Sequence, residues 1–415
     1  MSLTIDEVRE RASRVRATAP RLRGMDDARL VEAIAAAAER LRDPETTVGR
    51  SLRTAAARTS GLSDGMIAWA LSTTLGTATP ARLEAALAFA RGFAGPRRRP
   101  VGPGLVSIVL AGNVFTAGFR AVAWPLLLRV PVVVKASSRD DVFVSYLRAA
   151  LADADDELAE SFDVLTFAGE EGDLLDALLA SSDVVSVYGS DRTVGTIRGR
   201  CGGSTGFVAH GHGLGAAYVP AEALSSEAAA IELARRLALD VAAYDQRGCL
   251  SPHAVWVERG GTVAPERFAE LLSEEGLAPL AESMPRGALP VPVGAQQLQW
   301  RGVGSVRGTL FEGDGFAVAF EDEGLFRVSP GYRNVQVLAC GGVFELGEAL
   351  RPLGPHLKTL GVAGDASTSA LVLAALPPPL APRISPIGTM QTPPFDAAVD
   401  GELPFTGLVR WAELG

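Results

Sequence analysis

Cys249 is the residue of this chain whose neighbours best equip it to act as a nucleophile. It sits in the loop YDQRGCLSP, with Gly248 directly before it and Pro252 shortly after. The glycine lowers crowding, the proline stops any regular continuation, and polar neighbours suggest access. These are the conditions a reactive thiolate needs. Cys201 and Cys340 fall in helix-like and strand-like contexts and read as small apolar filler. Three cysteines do not make a disulfide framework, and no CxxC pair signals a metal. A reducing, cytoplasmic setting fits that usage.

Other candidates follow short apolar runs. Asn113, in AGNVFTAGF, could donate from its amide to a developing oxyanion, although asparagine also favours turns. Lys135, Ser137 and Ser138, in KASS, could hold ribose or phosphate oxygens. Equally, the lysine could snorkel to water while a serine caps the next helix. Only two lysines, Lys135 and Lys358, survive among 39 basic residues. An ammonium kept in so arginine-rich a chain draws attention to Lys135. In YGSDRTVG, Gly189 allows close backbone approach, and Ser190 can cap a helix whose N-terminus favours a pyrophosphate. His210 and His212, in AHGHGLG, lie two residues apart, which places both on one side of an extended strand. Acid–base work suits them better than metal binding, since no third ligand cluster is visible. His253 and His356 read as structural.

The elements that must position these residues are legible from periodicity. β-Branched runs at Leu105–Leu110, Val130–Lys135, Val164–Phe167, Val184–Tyr188 and Gly206–Ala209 alternate with helix-like stretches at Gly118–Leu128, Asp140–Ala152, Glu170–Leu179 and Ser190–Arg200. That order predicts an open parallel sheet covered on both faces, with ligands bound at the carboxyl ends of its strands. No GxGxxG lies at a strand–helix junction, so the usual dinucleotide fingerprint is absent. Residues 1–100 are expected to be helical, 101–213 to form the dinucleotide-binding α/β unit and 214–380 a second α/β unit. Residues 381–415, rich in proline and aromatics, are expected to pack back on the others. The second unit should hold a long helix from Ser225 to Ala243.

Composition excludes several classes. The chain is 47% apolar and 21% charged, as a globular protein is. A formal charge of -9, with no basic tract beyond Arg97–Arg99, argues against nucleic acid. The arginine run reads as a solvated connection, or as a contact for phosphates. The N-terminus lacks an apolar signal core, and no apolar run approaches the roughly 20 residues of a membrane helix.

Taken together, the stretches VLAGNVFTAGF, VVVKASSRDD, SDVVSVYGSDRTV, HGHGLGAAYV, DQRGCLSPHAVWVE and RISPIGTMQTPPF, with a later DG and LVRW, resemble the aldehyde dehydrogenase superfamily. Within it they resemble the acyl-CoA or acyl-protein reductase (LuxC) branch. The resemblance implies an α/β fold of aldehyde dehydrogenase type, with a Rossmann-type parallel-sheet cofactor domain and a second α/β catalytic domain. It implies Cys249 as nucleophile, Asn113 in the oxyanion hole, Lys135 at the adenosine ribose, and Gly189 and Ser190 at the pyrophosphate. Ser138 stands where NAD-preferring relatives carry a carboxylate, and Arg139 follows it, so NADPH is the expected cofactor. The glutamate that activates deacylating water in the oxidising enzymes is missing from AHGHGLG, as suits a thioester reductase. The branch's lysine and serine after the second histidine are replaced by Gly213 and Gly215, and the glutamate that holds the nicotinamide ribose has no clear counterpart. The expected reaction is reduction of an acyl thioester, on coenzyme A or a carrier protein, to the aldehyde, with an acyl-transferring partner protein and a homo-oligomer both compatible. A cysteine acyltransferase or thioesterase without nicotinamide, and a non-catalytic partner subunit, are the alternatives.

Overall fold

Apolar β-branched runs separated by amphipathic stretches build two parallel-stranded sheets in the computed structural model, which describes residues 3–93, 95, 97–137 and 141–415. Six helices open the chain among the described residues, from Ile5–Ala17 to Pro80–Gly92. Their starts are locally encoded. Thr4 and Glu7 form a reciprocal capping box, and Asp26 caps Asp27–Arg42 through the Ala28 N–H. A short strand, β1 (Arg98–Val101), follows them.

The first sheet contains β2 (Val106–Val109), β3 (Val132–Ala136), β4 (Phe162–Thr166), β5 (Val184–Tyr188) and β6 (Gly206–His210). All its pairings are parallel, in the order β4-β3-β2-β5-β6. Helices cover both faces, so β2 and β3 are buried along their whole length. Val8, Ala12 and Val15 of the first helix pack with Leu174 and Leu178 on one face. Leu30, Phe119, Trp124 and Leu147 fill the other. The order reverses direction at β2, so the crevice between the loops after β2 and β5 is the expected ligand site for such a sheet.

The second sheet holds β7 (Leu214–Val219), β8 (Pro252–Glu258), β9 (Thr309–Gly313), β10 (Phe316–Glu321), β11 (Asn334–Cys340), β12 (Leu357–Val362) and β13 (Arg383–Pro386). Its order is β13-β12-β7-β8-β11-β10-β9, parallel except for β9 against β10. The helix Glu227–Ala242, capped by Ser226, packs on it through Leu233, Leu237 and Val241.

The C-terminal stretch binds to three places. β13 extends the second sheet, and β14 (Arg410–Glu413) pairs antiparallel with β1. Between them Phe395 stacks on Trp124 at 5.1 Å, and Phe405 lies 5.9 Å from the same ring. The Asp400–Gly401 turn is thereby carried across to the first sheet.

Candidate active site

Cys249 is held by an unusual turn. Tyr244, Asp245 and Gln246 all have left-handed backbone, with φ of 52°, 52° and 58°. Three consecutive non-glycine residues in that region are strained, and persist only where the surroundings over-determine them. Here they do. The Asp245 carboxylate accepts from Arg333 at 3.1 and 2.8 Å and from the Gly287 N–H at 2.9 Å. The Gln246 amide donates to the Pro252 and Asn334 carbonyls and accepts from the Asn334 N–H, each at 2.8 Å. The Tyr244 hydroxyl meets Thr116 at 2.7 Å and Thr74 at 3.1 Å. Gly215 completes the mount. A Cβ there would lie 2.5 Å from the Leu250 carbonyl oxygen, so only glycine lets β7 run against the cysteine loop.

Cys249 opens on a cavity of about 250 Å³ lined mainly by apolar groups. The wall comes from the end of Asp64–Leu75, helix Gly118–Leu127, the ends of β5 and β6, the cysteine loop and residues 391–408. Cys249 is solvent-exposed at this cavity, with Asp400 and Lys358 close to its sulfur. Desolvation by the surrounding protein and the nearby Asp400 push the thiol up to about 11, while Lys358 and its own backbone N–H pull the other way.

The cavity wall assembles a network from three distant segments. His210, at the end of β6, shares a 2.9 Å hydrogen bond between Nδ1 and Asp400 Oδ2. Lys358, on β12, pairs with Asp400 Oδ1 at 2.7 Å. Burial alone would raise the Asp400 pKa, but His210 and Lys358 together hold its carboxyl below the usual range. The His210 ring stacks on Tyr188 at 4.1 Å. Lys358 reaches Asp400 through space that a side chain at residue 213 would fill: a Cβ on Gly213 would lie 2.3 Å from Lys358 Cγ. Gly213 therefore leaves room for an ammonium supplied by another strand.

His212 lies beyond the end of β6 and outside the cavity wall. Its N–H donates to Asp191 at 3.0 Å, and its ring faces His356 at 6.3 Å. The shared side expected from strand alternation stops with the strand at His210. Asn113 sits in the turn after β2 and donates one amide N–H to the Arg247 carbonyl at 3.1 Å, which leaves a second. The local sequence AHGHGLG contains no carboxylate, yet the fold brings Asp400 there from 190 residues away. Asp400 and Lys358 are the site residues that the motifs did not single out. The signals were faint: Lys358 is one of only two lysines, and Asp400 begins the DG turn of the C-terminal stretch.

On the other side of the crevice, Lys135 ends β3 buried, its Nζ 5.2 Å from the Phe167 ring centroid. Burial lowers its pKa, and no ion pair engages it among the described residues. A Cβ on Gly189 would meet Thr193 at 3.1 Å. Ser190 caps Asp191–Arg198, accepting from the Thr193 N–H at 3.2 Å. A buried donor at one strand end, with a bare backbone and a helix N-terminus at another, fits a dinucleotide lying across the crevice. Ser137 is half-buried at the strand's end, whereas Ser138 and Arg139 lie outside the described residues.

Two parallel-stranded sheets, a looped cysteine facing the crevice and no glycine fingerprint define the aldehyde dehydrogenase class of fold. Solved structures agree. Aldehyde dehydrogenase 21 from Physcomitrella patens, in complex with the product succinate, superposes with a TM-score of 0.75 at 13% identity, over 99% of this chain and 90% of that one. An NAD-dependent aldehyde dehydrogenase from Sinorhizobium meliloti gives 0.72 at 16% identity, over 100% and 87%. A glyceraldehyde-3-phosphate dehydrogenase from Methanocaldococcus jannaschii, complexed with NADP, gives 0.69 at 13%, over 94% and 87%. No curated protein sequence matches this chain. The acyl-CoA reductase (LuxC) family profile matches residues 97–411, and the chain belongs to that family. It is an oxidoreductase acting on acyl thioesters.

Proposed function

We propose that this protein reduces an acyl thioester to the aldehyde with NADPH, through a covalent acyl group on Cys249. The observation that carries the reading is Cys249 opening on a largely apolar cavity that also holds the His210–Asp400–Lys358 network. As the sulfur attacks the thioester carbonyl, His210 takes the thiol proton, and Asp400 steadies the imidazolium. The new S–C bond forms, the coenzyme A or carrier sulfur leaves, and His210 returns the proton to it. The Cys249 backbone N–H and the second amide N–H of Asn113 are the donors for the oxyanion. Lys135, Ser137, Ser138, Gly189 and Ser190 would hold the cofactor. When bound, NADPH supplies the hydride that brings the acyl carbon to the aldehyde level. Product release leaves Cys249 as thiolate beside Lys358, and a proton from solvent restores the thiol. Both Asp400 oxygens are engaged, so it is a poor base for deacylating water.

A second reading is favoured by the same network, since a cysteine beside a His–Asp pair also suits acyl transfer without nicotinamide. NADPH oxidation across a panel of acyl-CoAs, wild type against Cys249→Ala, separates the two. The expected result is turnover that Cys249→Ala abolishes. Thioester cleavage with no NADPH consumed would establish the acyl-transfer reading instead.

A further inference from the structure

The cavity beside Cys249 holds two guanidinium groups that form no ion pair with a carboxylate among the described residues. Arg120, on helix Gly118–Leu127, donates from Nε to the Phe395 carbonyl at 3.1 Å and from Nη2 to the Ala397 carbonyl at 2.7 Å. Arg383, at the start of β13, donates to the Met390 carbonyl. Both line the cavity, and neither forms an ion pair among the described residues.

The nearby acids do not neutralise them. Asp400 is committed to Lys358 and His210. Glu402 also lines the cavity but is solvent-exposed and forms no ion pair among the described residues, and the exposed Asp396 acts on Arg120 only from a distance. Asp240, within electrostatic reach of Arg383, is buried and pushed up to about 7 by that burial, against N–H bonds from Gly388 and Met390. Burial pushes both guanidinium groups down, Arg383 to about 10, and the proximity of Arg120 adds to the effect on Arg383. Two mutually repelling cations in a mainly apolar wall, where Ile108, Trp124 and Leu403 stand beside the Lys358–Asp400–His210 network and the exposed Glu402, are costly to hold without a further anion. The planar guanidinium fork matches the bidentate geometry of a carboxylate or a phosphate, and of the two a carboxylate is the group in which an acyl chain ends. Arg120, Arg383, Tyr188 and Cys249 all line this one cavity, so the cation pair and the nucleophile share its wall.

We propose that the acyl group taken by this site ends in a carboxylate, which Arg120 and Arg383 hold while Cys249 attacks the thioester carbonyl at the other end. This rests on the acylation of Cys249 argued above, and it replaces a purely hydrocarbon chain by an ω-carboxyacyl group as the preferred substrate class.

The test needs no nicotinamide. Glutaryl and adipyl thioesters of N-acetylcysteamine are compared with the pentanoyl and hexanoyl thioesters, and acyl-Cys249 is followed by intact-protein mass spectrometry. N-acetylcysteamine carries no phosphate, so any preference for an anion reports the acyl carboxylate and not coenzyme A. The expected result is acylation about tenfold or more faster with the carboxylate-ended pair. In Arg383→Gln the ratio should fall towards one, and Arg383→Lys should keep part of it. Equal rates in the wild type, or faster acylation by the methyl-ended pair, would overturn the proposal without touching the covalent reading. No adduct from either pair would overturn the covalent reading and this proposal with it. The wild-type comparison stands whether or not either variant folds.

Discussion

At the scale of single residues, the surroundings of Cys249 favour the thiol over the thiolate. Burial and Asp400 keep its pKa near 11, so the thiolate is scarce at neutral pH and the sulfur depends on a proton acceptor when substrate arrives. In the proposed mechanism that acceptor is His210, which lines the same cavity, hydrogen-bonds Asp400 and stacks on Tyr188. Iodoacetamide alkylation of Cys249 should therefore rise about tenfold per pH unit through the neutral and mildly alkaline range, without a plateau. Asp400→Asn removes a charge that raises the thiol and frees Lys358, which lowers it. The alkylation profile of that variant should shift to lower pH. A profile that does not move would show that Asp400 exerts no field on the sulfur.

Among the elements, the left-handed turn before Cys249 is the one whose geometry is stored as strain and held by buried polar bonds. Arg333 and Asp245 are each about 1% exposed, so the pair is worth most as mutual neutralisation. Removing one partner leaves an uncompensated buried charge. Asp245→Ala should cost roughly 3–5 kcal/mol in urea unfolding. It should also abolish acylation of Cys249 at temperatures where the variant is still folded, because the turn relaxes and carries the cysteine away. A loss of stability below about 1 kcal/mol would place the energy of this turn elsewhere, in the Gln246 amide bonds or the Tyr244 hydroxyl.

For the molecule as a whole, residues 381–415 tie the two sheets together and complete the cavity. Asp240 is the knot, joining helix Glu227–Ala242 to that segment through the Gly388 N–H and the Met390 N–H, the latter at 3.0 Å. Its folded pKa of about 7 stands above the ordinary 3.8. As pH rises from about 4 to 7 the unfolded chain gives up this proton while the folded chain keeps it. The folded state then binds more protons, and stability falls as pH rises through that window. Asp240→Asn removes the titration, so the melting temperature of the variant should lose this downward slope between pH 4 and 7. An identical slope in both proteins would assign the pH dependence to other groups.

The sequence by itself determined the parallel sheet of the first half, because β-branched runs and helix-like stretches alternate at a period that only a covered parallel sheet satisfies. It also determined the cysteine loop as the place to look, since Gly248, Cys249 and Pro252 are neighbours along the chain, and their chemistry is local. Ends of elements were the less legible part: the helix expected from Ser225 to Ala243 runs from Glu227 to Ala242, because its cap is Ser226 and the backbone turns left-handed at Tyr244. Only the tertiary structure decided which residues share the cavity. His210 and His212 are equivalent by spacing, but the strand ends between them, and one faces Asp400 while the other faces His356. Asp400, Lys358, Arg120 and Arg383 come from segments with no mutual spacing in the sequence. Their meeting depends on loop closures over long stretches of chain, and periodicity carries no information about those.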